Sequence, residues 1–289
     1  MLHAATRGSE LALWQANHVA KLLADASNTV VDPLVLSTQG DRDKTTPLHD
    51  LGGKGIFVKE VQAAVLDGRA HFAVHSAKDL PALTPPGLTI AAVPRRADPR
   101  DVLVGKTFAT LDASSTVATG SVRRRVQIHE QCPGATVVEL RGNIATRLAR
   151  VGQGEIDAIV MAAAALERLD RWPEIFEILE PEVMLPQVGQ GTLAVECRTD
   201  DEETRQILAA IDDPVSHRCL AAERAFLIEL GGDCDLPAGA FAETDSVDGD
   251  LRIRAVLSDG DLVIHRAEAT GVDGERLGRE LAIELRAKL

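Results

Sequence analysis

The chain is predicted to be α/β, with two successive sets of alternating strands and helices followed by a small antiparallel sheet carrying one helix. Three observations predict this. Short apolar runs alternate with amphipathic stretches through most of the chain, as βαβ units require. A proline-rich break, PRRADP (94–99), separates one such set from the next. Past Pro237, three strand-like runs are spaced by Asp-Gly turns instead of helices.

In order, LHAAT (2–6) and VDPLVL (31–36) read as strands, with a helix from Glu10 to about Ala24 between them. A second helix is predicted from Phe57 to Leu66, where Phe57, Val61, Ala64 and Val65 share a face. Strand FAVH (72–75), a turn over Pro81–Pro86 and strand LTIAAV (88–93) complete the first set. In the second set STVAT (115–119) feeds a helix at about 121–132, TVVEL (136–140) feeds one near Asn143, and DAIVMAAAAL (157–166) runs from strand into helix. LPQVGQGTLAVECR (185–198) is glycine-rich, then strand-like, and is expected to return the chain to the first set. Asp213-Pro214 opens a helix with an acceptor cap and a first-turn proline. Val215, Cys219, Ala222, Phe226 and Leu230 mark its buried stripe, and Gly231 its stop. GAFAET, LRIRAVL and LVIHRAEAT are the three late strands, and the helix GERLGRELAIELRAKL closes the chain. The expected domains are 1–93 with a return segment 190–210, then 98–186, then 214–289.

The 289 residues give room for several cores, and 45% of them are apolar, which excludes a disordered chain. The opening MLHAATRGSE lacks a basic-then-apolar leader and no run approaches a membrane span, so a cytoplasmic protein is expected, with no membrane partner. Cys132, Cys197, Cys219 and Cys234 stand far apart, against a disulfide framework and against structural zinc, so no metal is expected. A formal net charge of -13 argues against nucleic acid. Arginines nevertheless bunch at 123–125 and at 141, 147 and 150, which suits a crevice for a small polyanion. For Arg125 and Arg150 a solvated helix face explains them as well.

Polar residues collect where strands end: Thr6-Arg7, Ser37-Thr38, His75-Ser76, Thr119-Gly120 and Arg141-Gly142. Open parallel sheets bind ligands at those carboxyl ends, and two such sets facing each other would enclose a cleft. In HSAKDLP, Lys78 and Asp79 follow a strand directly, so Asp79 reads as a carboxylate able to accept a proton or stabilise a cation. A solvated loop is the plainer alternative, and His75 reads equally as a satisfied core histidine. Thr119, Gly120 and Ser121 in ATGSVRRR place hydroxyls and helix-start N–H groups beside Arg123 and Arg124, an anion-binding arrangement. Arg141-Gly142-Asn143 repeats the plan, with Arg147 in the next turn. Carboxylate and phosphate are not separated by this argument, although no nucleotide triphosphate loop is present and GGKG (52–55) is too short for one. Cys234, in LGGDCDLPAG, is the cysteine least like packing.

Taken together these segments closely resemble the porphobilinogen deaminase family. The resemblance covers nearly the whole chain, through ATRGSELALWQ (5–15), STQGD (37–41), GGKGIFVKE (52–60), AVHSAKDLP (73–81), DPRD (98–101), ATGSVRRR (118–125), LRGNIATRL (140–148), LPQVGQGTLAVECR and GGDCDLP. It implies two bilobed, periplasmic-binding-protein-like α/β domains with a third small α+β domain, a three-stranded antiparallel sheet and helix. The implied activity condenses four porphobilinogen molecules, with loss of ammonia, onto a covalent dipyrromethane primer and then releases linear hydroxymethylbilane by hydrolysis. The implied partners are porphobilinogen and the growing polypyrrole chain, and the implied state is a monomer. Cys234 resembles the cysteine that holds dipyrromethane by a thioether, and Asp79 the catalytic aspartate. Lys78, Ser76, Thr119, Ser121, Arg123, Arg124 and Arg141 match cofactor-binding positions, with Asp79 also at the cofactor. Arg7, Ser9, Lys54, Arg147, Arg168 and Gln190 match substrate-binding positions. Two residues depart from the family pattern: Gly120 stands where serine is common, and Asp233 replaces the second glycine before the cysteine. The rival reading is a non-enzymatic bilobed binder of small carboxylates or oxyanions. A transferase acting on phosphorylated substrates is a second.

Overall fold

The computed structural model describes residues 1–38, 58–153, 156–232, 237–259 and 262–289. Predicted features at Lys54, Phe57 and Cys234 lie outside the described residues. The chain forms two compact units, Met1–Arg96 with Thr192–Leu220, and Ala97–Gly191 with Ala221–Leu289.

The first unit begins with β1 (Leu2–Arg7), α1 (Glu10–Ser27), β2 (Val31–Leu36), α2 (Lys59–Leu66), β3 (Phe72–Ser76) and β4 (Leu88–Ala92). The second continues with β5 (Asp101–Val104), β6 (Thr116–Ala118), α3 (Val122–Gln131), β7 (Thr136–Val138), α4 (Ile144–Leu148), β8 (Ala158–Ala162), α5 (Ala163–Arg168) and β9 (Phe176–Leu179). The chain then returns to the first unit as β10 (Leu193–Arg198) and α6 (Glu202–Ala209), and the division between units falls within α7 (Pro214–Glu229). Strands β11 (Ala238–Glu243), β12 (Leu251–Ser258) and β13 (Ile264–Gly271) and helix α8 (Gly274–Arg286) close the second unit.

Local chemistry explains the first elements. Ser9 caps α1, its Oγ accepting from Ala12 N at 3.3 Å, and Asn28 ends the helix in the left-handed region at φ 51°. Val19 and Leu23 of α1 pack on Leu2, Ala4, Phe72, Val74 and Val195 of the sheet. A fully buried leucine such as Leu23 contributes about 1.5–3 kcal/mol. Pro33 lies in β2, an edge strand, where a missing N–H is tolerated.

The two large sheets share one plan. Their orders are β2-β1-β3-β10-β4 and β7-β6-β8-β5-β9. In the first, β1, β2 and β3 are parallel and β10 runs antiparallel between β3 and β4. In the second, β6, β7 and β8 are parallel and β5 is antiparallel between β8 and β9. The sheets are therefore mixed, where the sequence predicts a largely parallel arrangement. The physical reason is connection: β5 and β10 are the strands that open each entry from the other unit. Neither follows a covering helix, so neither is bound by the crossover that makes neighbours parallel.

The small sheet is antiparallel in the order β11-β12-β13, with Leu277, Leu281 and Leu285 of α8 buried at helical spacing. A Cβ at Gly278 would stand 2.2 Å from Ala222 O, so glycine is what lets α8 approach α7 this closely. Asp213 caps α7 as predicted, accepting from Ser216 N at 2.8 Å, and Gly231 follows its end at φ 67°. More of α7 is buried than the predicted stripe: Glu223 is fully buried, accepting from Gly189 N at 2.7 Å and Ala242 N at 2.9 Å.

Candidate functional site

In the first unit β1, β2 and β3 are parallel, so their carboxyl ends share one edge of the sheet. β1 delivers Arg7 there, the start of α1 delivers Ser9, and β3 runs into a single 3-10 turn, Ala77–Asp79. The turn is pinned: Ala77 N donates to Thr192 O at 3.0 Å, and Ala77 and Leu80 are buried with Val93, Ala194 and Leu220. Ser76 Oγ accepts from Gln15 Nε2 at 2.7 Å. The result is a pocket of about 50 Å³ lined by Arg7, Ser9, Gln15, His75, Ser76 and Asp79 over Val58, Val61 and Val74. Four residues chosen from sequence, Arg7, Ser9, Ser76 and Asp79, are thus brought together. Lys78 is half-buried on the same turn but does not line that pocket.

Below this edge lies a cluster that sequence reasoning missed. His75 Nε2 sits 3.1 Å from Glu196 Oε2, and Gln62 Nε2 donates to the same oxygen at 2.8 Å. His75, Glu196 and Gln62 are all buried. The only signal in the sequence is an acidic residue within β10, following the apolar run Leu193–Val195.

In the second unit the carboxyl ends of β6, β7 and β8 share an edge. Thr119 Oγ1 accepts from Ser121 N at 3.2 Å, and Ser121 caps α3, its Oγ accepting from Arg124 N at 3.4 Å. A Cβ at Gly120 would lie 3.0 Å from Leu140 O, so the departure from serine coincides with a close backbone approach. Arg141 is half-buried at the next junction, and Arg147 Nε donates to Gly142 O at 2.7 Å. Arg125 and Arg150 are exposed.

Arg123 and Arg124 turn inward instead of toward the edge. Arg123 Nη2 donates to Asp101 Oδ2 at 2.8 Å, Arg124 Nη2 to Asp101 Oδ1 at 2.6 Å, and Gln190 Nε2 to Asp101 Oδ1 at 2.9 Å. Further donations run from Arg123 Nη1 to Leu185 O at 2.5 Å and from Arg124 Nη1 to Val160 O at 2.9 Å. Burial alone would raise the Asp101 pKa, but the two guanidiniums reverse that and hold it at about 2. Burial lowers the Arg123 pKa, against the pull of Asp101. Two arginines matched to cofactor positions therefore grip a carboxylate of the protein itself, and two positive charges against one negative leave the cluster net positive. Arg168 Nη2 donates to Gly191 O at 2.7 Å, and burial lowers its pKa to about 10, partly opposed by Glu167.

Lys54, Asp233 and Cys234 lie outside the described residues. A larger concavity of about 810 Å³, lined in part by Gly105, Lys106, Asp157 and Trp172, lies toward the amino end of β8. It contains none of the residues chosen from sequence, whereas four of them line the smaller pocket.

Sheet edges that gather hydroxyls, arginines and one poised carboxylate define an α/β protein that handles anionic small molecules. Two family models match the chain: porphobilinogen deaminase, dipyromethane cofactor binding domain, over residues 2–206, and porphobilinogen deaminase, C-terminal domain, over residues 217–287. The chain belongs to the porphobilinogen deaminase family. It is accordingly an enzyme of tetrapyrrole biosynthesis, a transferase condensing porphobilinogen into hydroxymethylbilane, and not a non-enzymatic carboxylate binder. Its first matched region is of a cofactor-binding type.

Among solved structures, the methionine binding protein MetQ is 12% identical, covering 77% of this chain and 94% of its own, at a TM-score of 0.43. A periplasmic substrate-binding protein of an ABC transporter from Coxiella burnetii is 13% identical over 78% of this chain and 97% of its own, at 0.45. An ancestral cationic amino acid solute binding protein is 15% identical over 72% and 86%, at 0.46.

Proposed function

We propose that ammonia is lost from porphobilinogen in the Asp79 pocket, and that Cys234 holds a dipyrromethane primer through a thioether. The observation that best supports this reading is the meeting of Asp79 with Arg7, Ser9 and Ser76 at one sheet edge, in a chain of this family. The donor set fits the group: dipyrromethane and porphobilinogen present acetate and propionate carboxylates, which arginines and hydroxyls bind, and pyrrole N–H groups, which a carboxylate accepts. Asp79 is the one carboxylate lining this pocket among the described residues.

Arg7 and Ser9, with Lys54, Arg147 and Arg168, orient the substrate's carboxylates; Gln190, matched to a substrate position, is fully buried and donates to Pro99 O and Asp101 Oδ1, so it acts only through that cluster. Thr119, Ser121, Arg141, Lys78 and Ser76 receive those of the cofactor. Arg123 and Arg124 act through the net positive charge that remains after Asp101 is paired. Asp79 shares its pocket with Val58, Val61 and Val74, and beside such apolar side chains a carboxylate stabilises a neighbouring cation more than it does in water. As the substrate's C–N bond breaks, its electrons leave with ammonia and the pyrrole methylene becomes cationic beside Asp79. The bound primer supplies the nucleophilic ring carbon. Among the described residues no helix is long and apolar enough to cross a membrane. The proposal makes the enzyme a cytoplasmic monomer.

Intact mass tests attachment and turnover tests chemistry. Wild-type protein is expected to carry the dipyrromethane adduct and Cys234→Ala to lack it; an adduct that persists in Cys234→Ala removes the thioether assignment. Asp79→Asn is expected to keep the adduct and lose condensation. Near-normal turnover by that variant overturns the role given to Asp79.

A further inference from the structure

A buried histidine and carboxylate beneath the Asp79 pocket stand unused by the reading above. His75 lines the pocket itself, one strand residue before Ser76. Glu196 reaches it through sheet register: β10 pairs antiparallel with β3, Ala194 lies opposite His75, and Glu196 emerges two residues on, on the same face. The result is the 3.1 Å approach of Glu196 Oε2 to His75 Nε2, with Gln62 Nε2 on the same oxygen at 2.8 Å. His75 is 5% exposed and Glu196 fully buried. A carboxylate removed from water at this depth is costly unless its neighbours donate to it, and His75 Nε2, within ion-pair reach of Oε2 and with no other hydrogen-bond partner among the described residues, is placed to turn a proton toward it.

We infer that Glu196 fixes His75 as the Nε2–H tautomer, leaving Nδ1 as a proton acceptor for the Asp79 pocket. The inference rests on the reading of that pocket as the condensation site. Two things must happen to protons in each condensation there. The protonated aminomethyl group loses neutral ammonia as its C–N bond breaks. The ring carbon that forms the new C–C bond gives up its hydrogen as a proton. His75 Nδ1 takes that proton and passes it to the departing ammonia, which leaves as ammonium, so the pocket ends each round in its starting charge state. Asp79 is thereby kept as a carboxylate to face the cation, a division of labour in which one group handles the proton and the other the charge. Gln62 donates to Glu196 Oε2 and so keeps the carboxylate beside the ring. Glu196 and Gln62 are positioning residues, acting only through His75.

The test begins with wild-type holoenzyme labelled with ¹⁵N at its histidines, His75 being assigned from the signal lost in His75→Asn. Protonated Nε2 with unprotonated Nδ1 is the expected signature. An Nδ1–H tautomer, or a doubly protonated ring throughout the active pH range, overturns the inference whatever the kinetics of the variants. Kinetics supply the second arm. His75→Asn is expected to lower kcat by roughly 100-fold with KM little changed. Glu196→Gln, whose amide can itself donate to Nε2 and so permit the wrong tautomer, is expected to lower kcat less while keeping the dipyrromethane mass. The double variant should be no slower than His75→Asn alone. Losses that multiply, or a lowered melting temperature with kcat unchanged, make the cluster structural only. If Asp79→Asn is inactive while His75→Asn turns over normally, this inference fails and the pocket reading stands; if Asp79→Asn is active, the pocket reading fails first.

Discussion

Replacing Asp101 with Asn should destabilise the second unit more than any surface charge change. Asp101 is fully buried and accepts from three side chains, Arg123 at 2.8 Å, Arg124 at 2.6 Å and Gln190 at 2.9 Å. The Arg123 and Arg124 side chains are 2% and 9% exposed, so water cannot replace the lost carboxylate. Breaking a buried pair by removing one partner costs about 3–5 kcal/mol, and here two cations lose their counter-charge while the new amide points N–H donors at them. Urea unfolding followed by circular dichroism at pH 7 and 25 °C should show a loss in that range. Glu280→Gln, which removes an i,i+4 pair whose side chains are 57% and 55% exposed, should change stability by less than about 0.5 kcal/mol. The wild-type pH dependence gives an independent check. A folded-state pKa held at about 2, below an ordinary value of 3.8, contributes stability that is present above pH 3.8 and lost as pH falls toward 2. At about 1.4 kcal/mol per unit that contribution is roughly 2 kcal/mol. An Asp101→Asn variant within about 1 kcal/mol of wild type would refute the view that this carboxylate is the counter-charge the two arginines depend on.

Other outcomes follow from packing and burial. Gly278→Ala should lower the melting temperature despite alanine's better helix propensity, because its Cβ would meet Ala222 O at 2.2 Å; an unchanged or raised value means α8 can shift away from α7 at little cost. Cys197 is fully buried and burial pushes its thiol up to about 11, so native protein at pH 8 should leave it unalkylated by iodoacetamide, with labelling only in denaturant. Peptide mapping that finds Cys197 modified at the rate of an exposed thiol would contradict that burial. Ser121→Ala should cost about 1 kcal/mol through the lost cap of α3, read by the same urea assay.

Much of the fold is legible in the sequence because its cues are local. Ser9 and Asp213 announce helix starts, Gly231 a stop, and the Asp-Gly turns the small sheet. Three elements escape, β5 and β9 with four residues each and α6 with eight; β6 and β7 are shorter still but are marked by the helix starts that follow them. The site divides in the same way. Arg7, Ser9, Ser76 and Asp79 stand at strand and helix ends that the pattern marks, so the edge they share follows from parallel strands. Arg123 and Arg124 resemble surface binders in an RRR run, and nothing nearby in the chain announces that Asp101, more than twenty residues earlier, turns both inward.

From the sequence alone came the α/β class, the family and the residues that stand at the sheet edges, since each depends on neighbours within a turn or a strand. Only the tertiary structure decided which charges meet. Glu196 lies far along the chain from His75 and becomes its partner through one register, Ala194 opposite His75. A shift of that strand by a single residue would turn Glu196 to the other face of the sheet, because side chains alternate sides at every step.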